Sequence, residues 1–157
     1  MLNQSIAGEL QAIHPEWTIH RDRFYFIKAL EDLGHDVAAP NIISQFGSIS
    51  ADMGVIREGH APVLLEVRKS DDYSKIDRLG GARWDEGKLR RLAAIAHIDG
   101  YLEVFVCRDG ADDIRKTIGK LETSLGHWFS VGEIHKSKDG EEWEWTFVCA
   151  KVPNALP

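Results

Sequence analysis

Two acids in adjacent strand-like segments, Asp52 and Glu66, are the residues best placed by type and spacing to do chemistry. Asp52 opens the run Asp52-Met53-Gly54-Val55-Ile56, and Glu66 lies within Pro62-Val63-Leu64-Leu65-Glu66-Val67, followed directly by Arg68 and Lys69. Carboxylates converging at neighbouring strand ends can hold a hard divalent cation, and a positive side chain beside them can steady a phosphate under attack. The pattern predicts metal-dependent phosphodiester chemistry. An acid inside so apolar a run as Val63 to Val67 has to be paired or metal-bound once buried. The competing reading makes Glu66 an edge-strand acid paired with Arg68 or Lys69, and Asp52 a cap at a strand entry.

The flanking sequence supplies elements to position these acids. Leu2, Ile6, Leu10 and Ile13 repeat at helical spacing, and His14-Pro15 ends that helix. A second helix is predicted from about Arg21 to Leu33, stopped by Gly34. Val37 to Phe46 reads as extended, with Pro40 marking an edge strand. Gly47-Ser48 turns the chain into the Asp52 strand, and Arg57-Glu58-Gly59-His60 turns it into the Glu66 strand. A polar segment, Asp71 to Lys75, and a flexible Gly80-Gly81 pair precede a third helix from about Trp84 to His97, with Leu89, Leu92, Ala93 and Ala96 inward. Gly100 breaks it before the apolar run Tyr101 to Cys107, which reads as a central strand. Ile114, Ile118, Leu121 and Leu125 mark a fourth helix. A hairpin turning at Lys138-Asp139-Gly140 closes the chain, with Trp143, Trp145, Phe147 and Cys149 alternating along its second strand.

The 157 residues suit one domain with a real core, and the expected organisation is a single α/β domain over 1–157. Its core spans about 21–107, with the C-terminal helix and hairpin over about 111–150. A formal net charge of −6 argues against a generic basic nucleic-acid coat, though not against a nucleic-acid enzyme with local positive charge. The N-terminal residues lack a secretory signal pattern and no apolar run is long enough to span a membrane, so a cytoplasmic location is expected. Cys107 and Cys149 sit in apolar runs and read as buried, reduced thiols. The seven histidines show no metal-ligand spacing; His60, in the turn between the acid-bearing strands, is the one expected nearest the acids.

With these elements in order, the sequence resembles the restriction-endonuclease-like superfamily, whose signature is written PD-(D/E)XK. The resemblance covers roughly Arg21 to Cys107: a helix ending in Leu33-Gly34, Ala51-Asp52 in place of Pro-Asp, and Leu64-Leu65-Glu66-Val67-Arg68 in place of an apolar run ending Glu-X-Lys. Behind these come Ser70-Asp71-Asp72, a helix containing Lys88-Leu89, and the strand at Tyr101. It implies a core of helix, three-strand meander, helix and strand. It also implies that Asp52 and Glu66 bind Mg²⁺ or Mn²⁺, that a lysine orients the attacking water, and that an acid from the first core helix joins them. Asp22 is the candidate by order, with Glu16 and Glu9 as alternatives. The substrate implied is nucleic acid, DNA before RNA, cut by a homodimer.

The departure is at the lysine. Arg68 stays protonated at any working pH, so it can clamp a phosphate but not act as a base. Lys69 has the right chemistry, but strand alternation turns it to the face opposite Glu66 and Arg68 unless a bulge re-aims it. Lys88, on the following helix, is another donor. Between Arg68 and Arg91 eight Lys or Arg stand against five Asp or Glu. This composition fits either a phosphate-tracking face built from Lys75, Arg78, Arg83, Lys88, Arg90 and Arg91, or a solvated helix face balanced by Asp85 and Glu86. The alternative function is a nuclease-fold domain that has lost cutting and serves as a nucleic-acid or protein-binding module.

Overall fold

The computed structural model describes residues 2–70, 76–126, 128–136 and 143–152. The chain is mixed α/β and forms two compact units, each drawing on two stretches of sequence: Met1–Glu66 with Lys88–Tyr101, and Val67–Gly87 with Leu102–Pro157. The polar segment Asp71 to Lys75 and the Lys138-Asp139-Gly140 turn lie outside the described residues.

In the first unit, helix α1 (Leu2–Ile13) leads into strand β1 (Thr18–His20). Gln11 fastens the link by donating to the carbonyls of His14, Pro15 and Trp17. Strands β4 (Met53–Ile56) and β5 (Val63–Ser70) form an antiparallel hairpin, and β1 pairs with the other edge of β4. The hairpin turn is the expected one, with Gly59 at φ +72° and the His60 N–H donating to the Arg57 carbonyl. A positive φ costs a glycine no Cβ clash, which is what this turn requires.

Two expectations change here. Helix α2 runs Phe26–Asp32, five residues later than the predicted start. Phe24–Tyr25 instead forms β2, paired with β3 (Ser50–Ala51) in a separate two-stranded sheet. Packing decides this: Phe24 is buried, and its ring lies against the backbone of Gly54, where an added Cβ would come within 2.3 Å of it. Gly34 at φ +81° ends α2 as predicted, receiving the chain in the left-handed region. The segment read as an edge strand is helix α3 (Pro40–Phe46). Pro40 opens its first turn, where a missing N–H costs nothing, and Ile42 and Phe46 share the buried face. Phe26 and Phe46 meet in the core with ring centroids 6.1 Å apart.

Helix α4 (Ile76–Ala93) begins eight residues before its predicted start, so Gly80-Gly81 lies inside a helix and is no hinge. Leu89, Leu92 and Ala96 are buried as expected, Ala96 beyond the helix end, while Ala93 is half-buried. Strand β6 (Asp99–Arg108) includes Gly100 instead of starting after it.

The second unit is held by helix α5 (Ala111–Leu125), whose predicted stripe Ile114, Ile118, Leu121 and Leu125 is buried and packs against β9 (Glu144–Val152). Strand β9 lies between β6 and β7 (Ser130–Val131), and β8 (His135–Lys136) also pairs with it, antiparallel. The buried side of β9 is Thr146, Val148, Ala150 and Val152. Trp145 and Phe147 form the half-buried opposite side, with Phe105 centroids 5.7 and 5.2 Å away. No helix among the described residues is long and apolar enough to cross a membrane.

Candidate active site

In the first unit, Glu66 is the fourth residue of β5 and is 1 % exposed. So apolar a strand carries its acid inward, and the fold supplies a cation: Lys88 Nζ lies 2.6 Å from Glu66 Oε1. The same ammonium donates to the Ser50 carbonyl at 3.0 Å, tying α4 to the end of β3. Lys88 is itself 8 % exposed, so both charges are withdrawn from water together. An ammonium so placed has to be matched by acceptors, because a buried charge without partners costs several kcal/mol on the order of a lost ion pair.

Asp52 is a half-buried single-residue link between β3 and β4, where the chain passes from the small sheet to the large one. Met53 is paired with Leu65. Asp52 and Glu66 are each the next residue beyond that pair. The ladder itself ends at Met53.

Arg68 belongs to the second unit, and its guanidinium is engaged. Arg68 Nε donates to Asp85 Oδ2, and Nη2 donates to Oδ1 at 3.0 Å, a two-pronged pairing with an acid that is 0 % exposed. Gly81, one helical turn before Asp85, makes room: a Cβ there would meet Arg68 Cζ at 3.2 Å. Asp85 and Glu86, expected as balancing charges on a solvated face, are both buried. Neither the clamp nor the packing role of Gly81 was foreseen. Their only sequence trace is the helical spacing of Gly81 and Asp85, with no local hint of Arg68 as the third member.

The remaining candidates lie on several segments. Asp22 is exposed in the link between β1 and β2, next to Arg23, which holds a positive φ of 31°. Glu9 is exposed on α1, and Glu16 is exposed with His14 at 3.4 Å. Lys69 is exposed on β5. The His60 turn closes the end of the β4–β5 hairpin remote from Asp52 and Glu66. Of the expected phosphate-binding residues, Arg83 and Arg91 are exposed, Arg90 is half-buried, and Lys88 is the buried partner of Glu66. Lys75 and the side chain of Arg78 lie outside the described residues.

No family model, curated protein or solved structure matches the chain. The chemistry of the cluster therefore rests on its own residues. Among the described residues no group of three or more His, Cys, Asp or Glu is arranged to hold a metal ion. Two carboxylates are a donor set that Mg²⁺ accepts, since it keeps several waters, but the Glu66 carboxylate is already met by Lys88.

Proposed function

We propose that the chain is a divalent-metal-dependent phosphodiester hydrolase of the PD-(D/E)XK type, acting on DNA as a homodimer, in which Lys88 from α4 replaces the lysine expected on the strand. The observation that carries this reading is the 2.6 Å approach of Lys88 Nζ to Glu66 Oε1, with Asp52 one residue beyond the Met53–Leu65 pair. Asp52 and Glu66 would hold Mg²⁺ or Mn²⁺, which supplies charge neutralisation at phosphorus and a more acidic bound water.

The chain's own residues do the positioning. Lys88 fixes the Glu66 carboxylate and is anchored in turn on the Ser50 carbonyl. The compact ammonium of Lys88 can orient a water beside Glu66, whereas the Arg68 guanidinium is committed to Asp85. Arg68, held on Asp85, is a structural clamp in this reading.

The second reading is a domain of this fold that binds nucleic acid or protein without cutting. The burial of both Glu66 and Lys88 favours it, since a closed ion pair needs no metal. Supercoiled plasmid, single-stranded DNA and RNA incubated with Mg²⁺ or Mn²⁺ separate the two. Cleavage abolished by Asp52→Asn and by Glu66→Gln, with Mn²⁺ binding lost in calorimetry, supports the hydrolase. Wild-type protein that binds neither metal nor cuts any of the three substrates overturns it.

A further inference from the structure

We propose that the C-terminal end of α5, together with Trp128, forms a binding site for an organic cation, a guanidinium or alkylammonium group of side-chain size. A cleft of about 460 Å³ opens in the second unit, lined by Gly119, Glu122, Thr123, Gly126 and Trp128. Its size falls within the range of small-ligand sites. The first four residues follow i, i+3, i+4, i+7 spacing, so they share one face of α5 and its cap. A Cβ at Gly119 or Gly126 would meet nothing within 4 Å, which leaves the floor open. Trp128 forms the wall and is 81 % exposed, although Phe129 beside it is buried.

Three features of the cleft carry charge preference, and all have the same sign. Glu122 contributes a carboxylate, positioned by the Phe129 N–H, which donates to Oε1 at 3.2 Å. The last turn of a 15-residue helix presents the negative end of its dipole, and Gly126 closes it with a φ of 70°. The indole face attracts a cation through its quadrupole. Of the basic side chains of α5, Arg115 is tied to Asp112 at 2.9 Å and Lys116 to Asp113 at 3.1 Å, and Lys120 is exposed and does not line the cleft. The Thr123 hydroxyl donates to the Gly119 carbonyl at 2.8 Å, so it is directed along the helix and not toward an anion. Carboxylate, helix end and aromatic wall around one cleft select a positively charged, partly apolar group over an anion or a neutral one.

The test uses the full chain, isotope-labelled, titrated with Nα-acetyl-arginine amide, Nα-acetyl-trimethyllysine amide and the neutral isostere Nα-acetyl-citrulline amide. The expected result is a saturable shift of the Trp128 indole N–H and the Gly119 and Thr123 amides with the two cations only, weakening as salt is raised. Trp128→Ala and Glu122→Gln each weaken binding by about fivefold or more. Gly119→Leu, which fills the cleft from an open position on the helix, abolishes the shifts while the rest of the amide spectrum stays in place. A glycine–serine hexapeptide carrying one arginine assigns the source: tighter binding than the single residue marks a polypeptide ligand, and equal binding marks a free small cation. Equal shifts with citrulline, or an arginine titration unchanged in Trp128→Ala, overturn the proposal.

Discussion

Glu66 and Asp85 are both buried acids, but the first unit meets its acid with a lysine and the second with an arginine. The lysine is enclosed: its side chain is 10 % exposed and its ammonium is shared between Glu66 and the Ser50 carbonyl. The arginine side chain is 43 % exposed and reaches from β5 over Gly81 to grip Asp85 with two parallel N–H groups. A planar fork fits a carboxylate and never gives up its proton, so it makes a permanent clamp. A compact ammonium is a point charge that meets several acceptors at once, here Glu66 and the Ser50 carbonyl. Arg68 is therefore held as a clamp on a buried acid, and the cation that meets Glu66 is a lysine contributed by a helix.

The largest effect expected from breaking this contrast is on activity. If the proposed hydrolase reading holds, Lys88→Arg keeps the charge but replaces a compact ammonium by a bulkier planar fork between Glu66 and the Ser50 carbonyl, so cleavage should fall by about a hundredfold or more. Melting curves check that the variant folds; full activity in a folded Lys88→Arg would make Lys88 a structural cation like Arg68. Next in size is stability. Lys88→Met strips Glu66 of its lysine inside the core and should cost about 3 kcal/mol at neutral pH in urea unfolding. Arg68→Met should cost less, about 2 kcal/mol, since water reaches the half-exposed guanidinium.

The two close-approach glycines sharpen the same comparison. Gly54→Ala drives a Cβ into the buried Phe24 ring and should cost about 2–3 kcal/mol. Gly81→Ala meets only the tip of Arg68, which can shift, and gains helix propensity, so its net effect should stay within about 1 kcal/mol. The smallest effect belongs to Cys149. Burial, with Glu103 nearby, raises its thiol from 9.0 to about 11. The folded state therefore keeps the proton longer than the unfolded state. The stability this gives is whole below pH 9 and is lost as the pH rises toward about 11. Partial exposure limits the loss to about 1 kcal/mol, and Cys149→Ala should flatten that part of an alkaline unfolding series.

Where pattern and packing agree locally, the fold was legible. The stripe from Ile114 to Leu125 repeats every three to four residues and becomes the buried face of α5, because period alone decides which side faces the core. Val37 to Phe46 misled because Ile42-Ile43 has no clear period and Pro40 suits both an edge strand and the first turn of a helix; the helix places Ile42 and Phe46 inward together. Phe24 carried helical spacing but formed a strand, since its ring packs on a glycine thirty residues away in sequence. Of the candidate site, Asp52 and Glu66 were readable from strand context. That Lys88 and not Arg68 reaches Glu66 was not, because strand parity governs neighbours on one strand and says nothing about what a helix brings over it.

The sequence by itself determined an α/β chain with one acid at a strand entry and another inside the neighbouring strand, in a run too apolar to leave its charge in water. The tertiary structure alone decided which cation answers each acid. Ion pairing between Glu66 and Lys88, or Arg68 and Asp85, joins residues about twenty positions apart, with a geometry set by where α4 lies. No periodicity within either segment encodes that placement, and it is what gives Glu66 an enclosed lysine and Asp85 a half-exposed arginine.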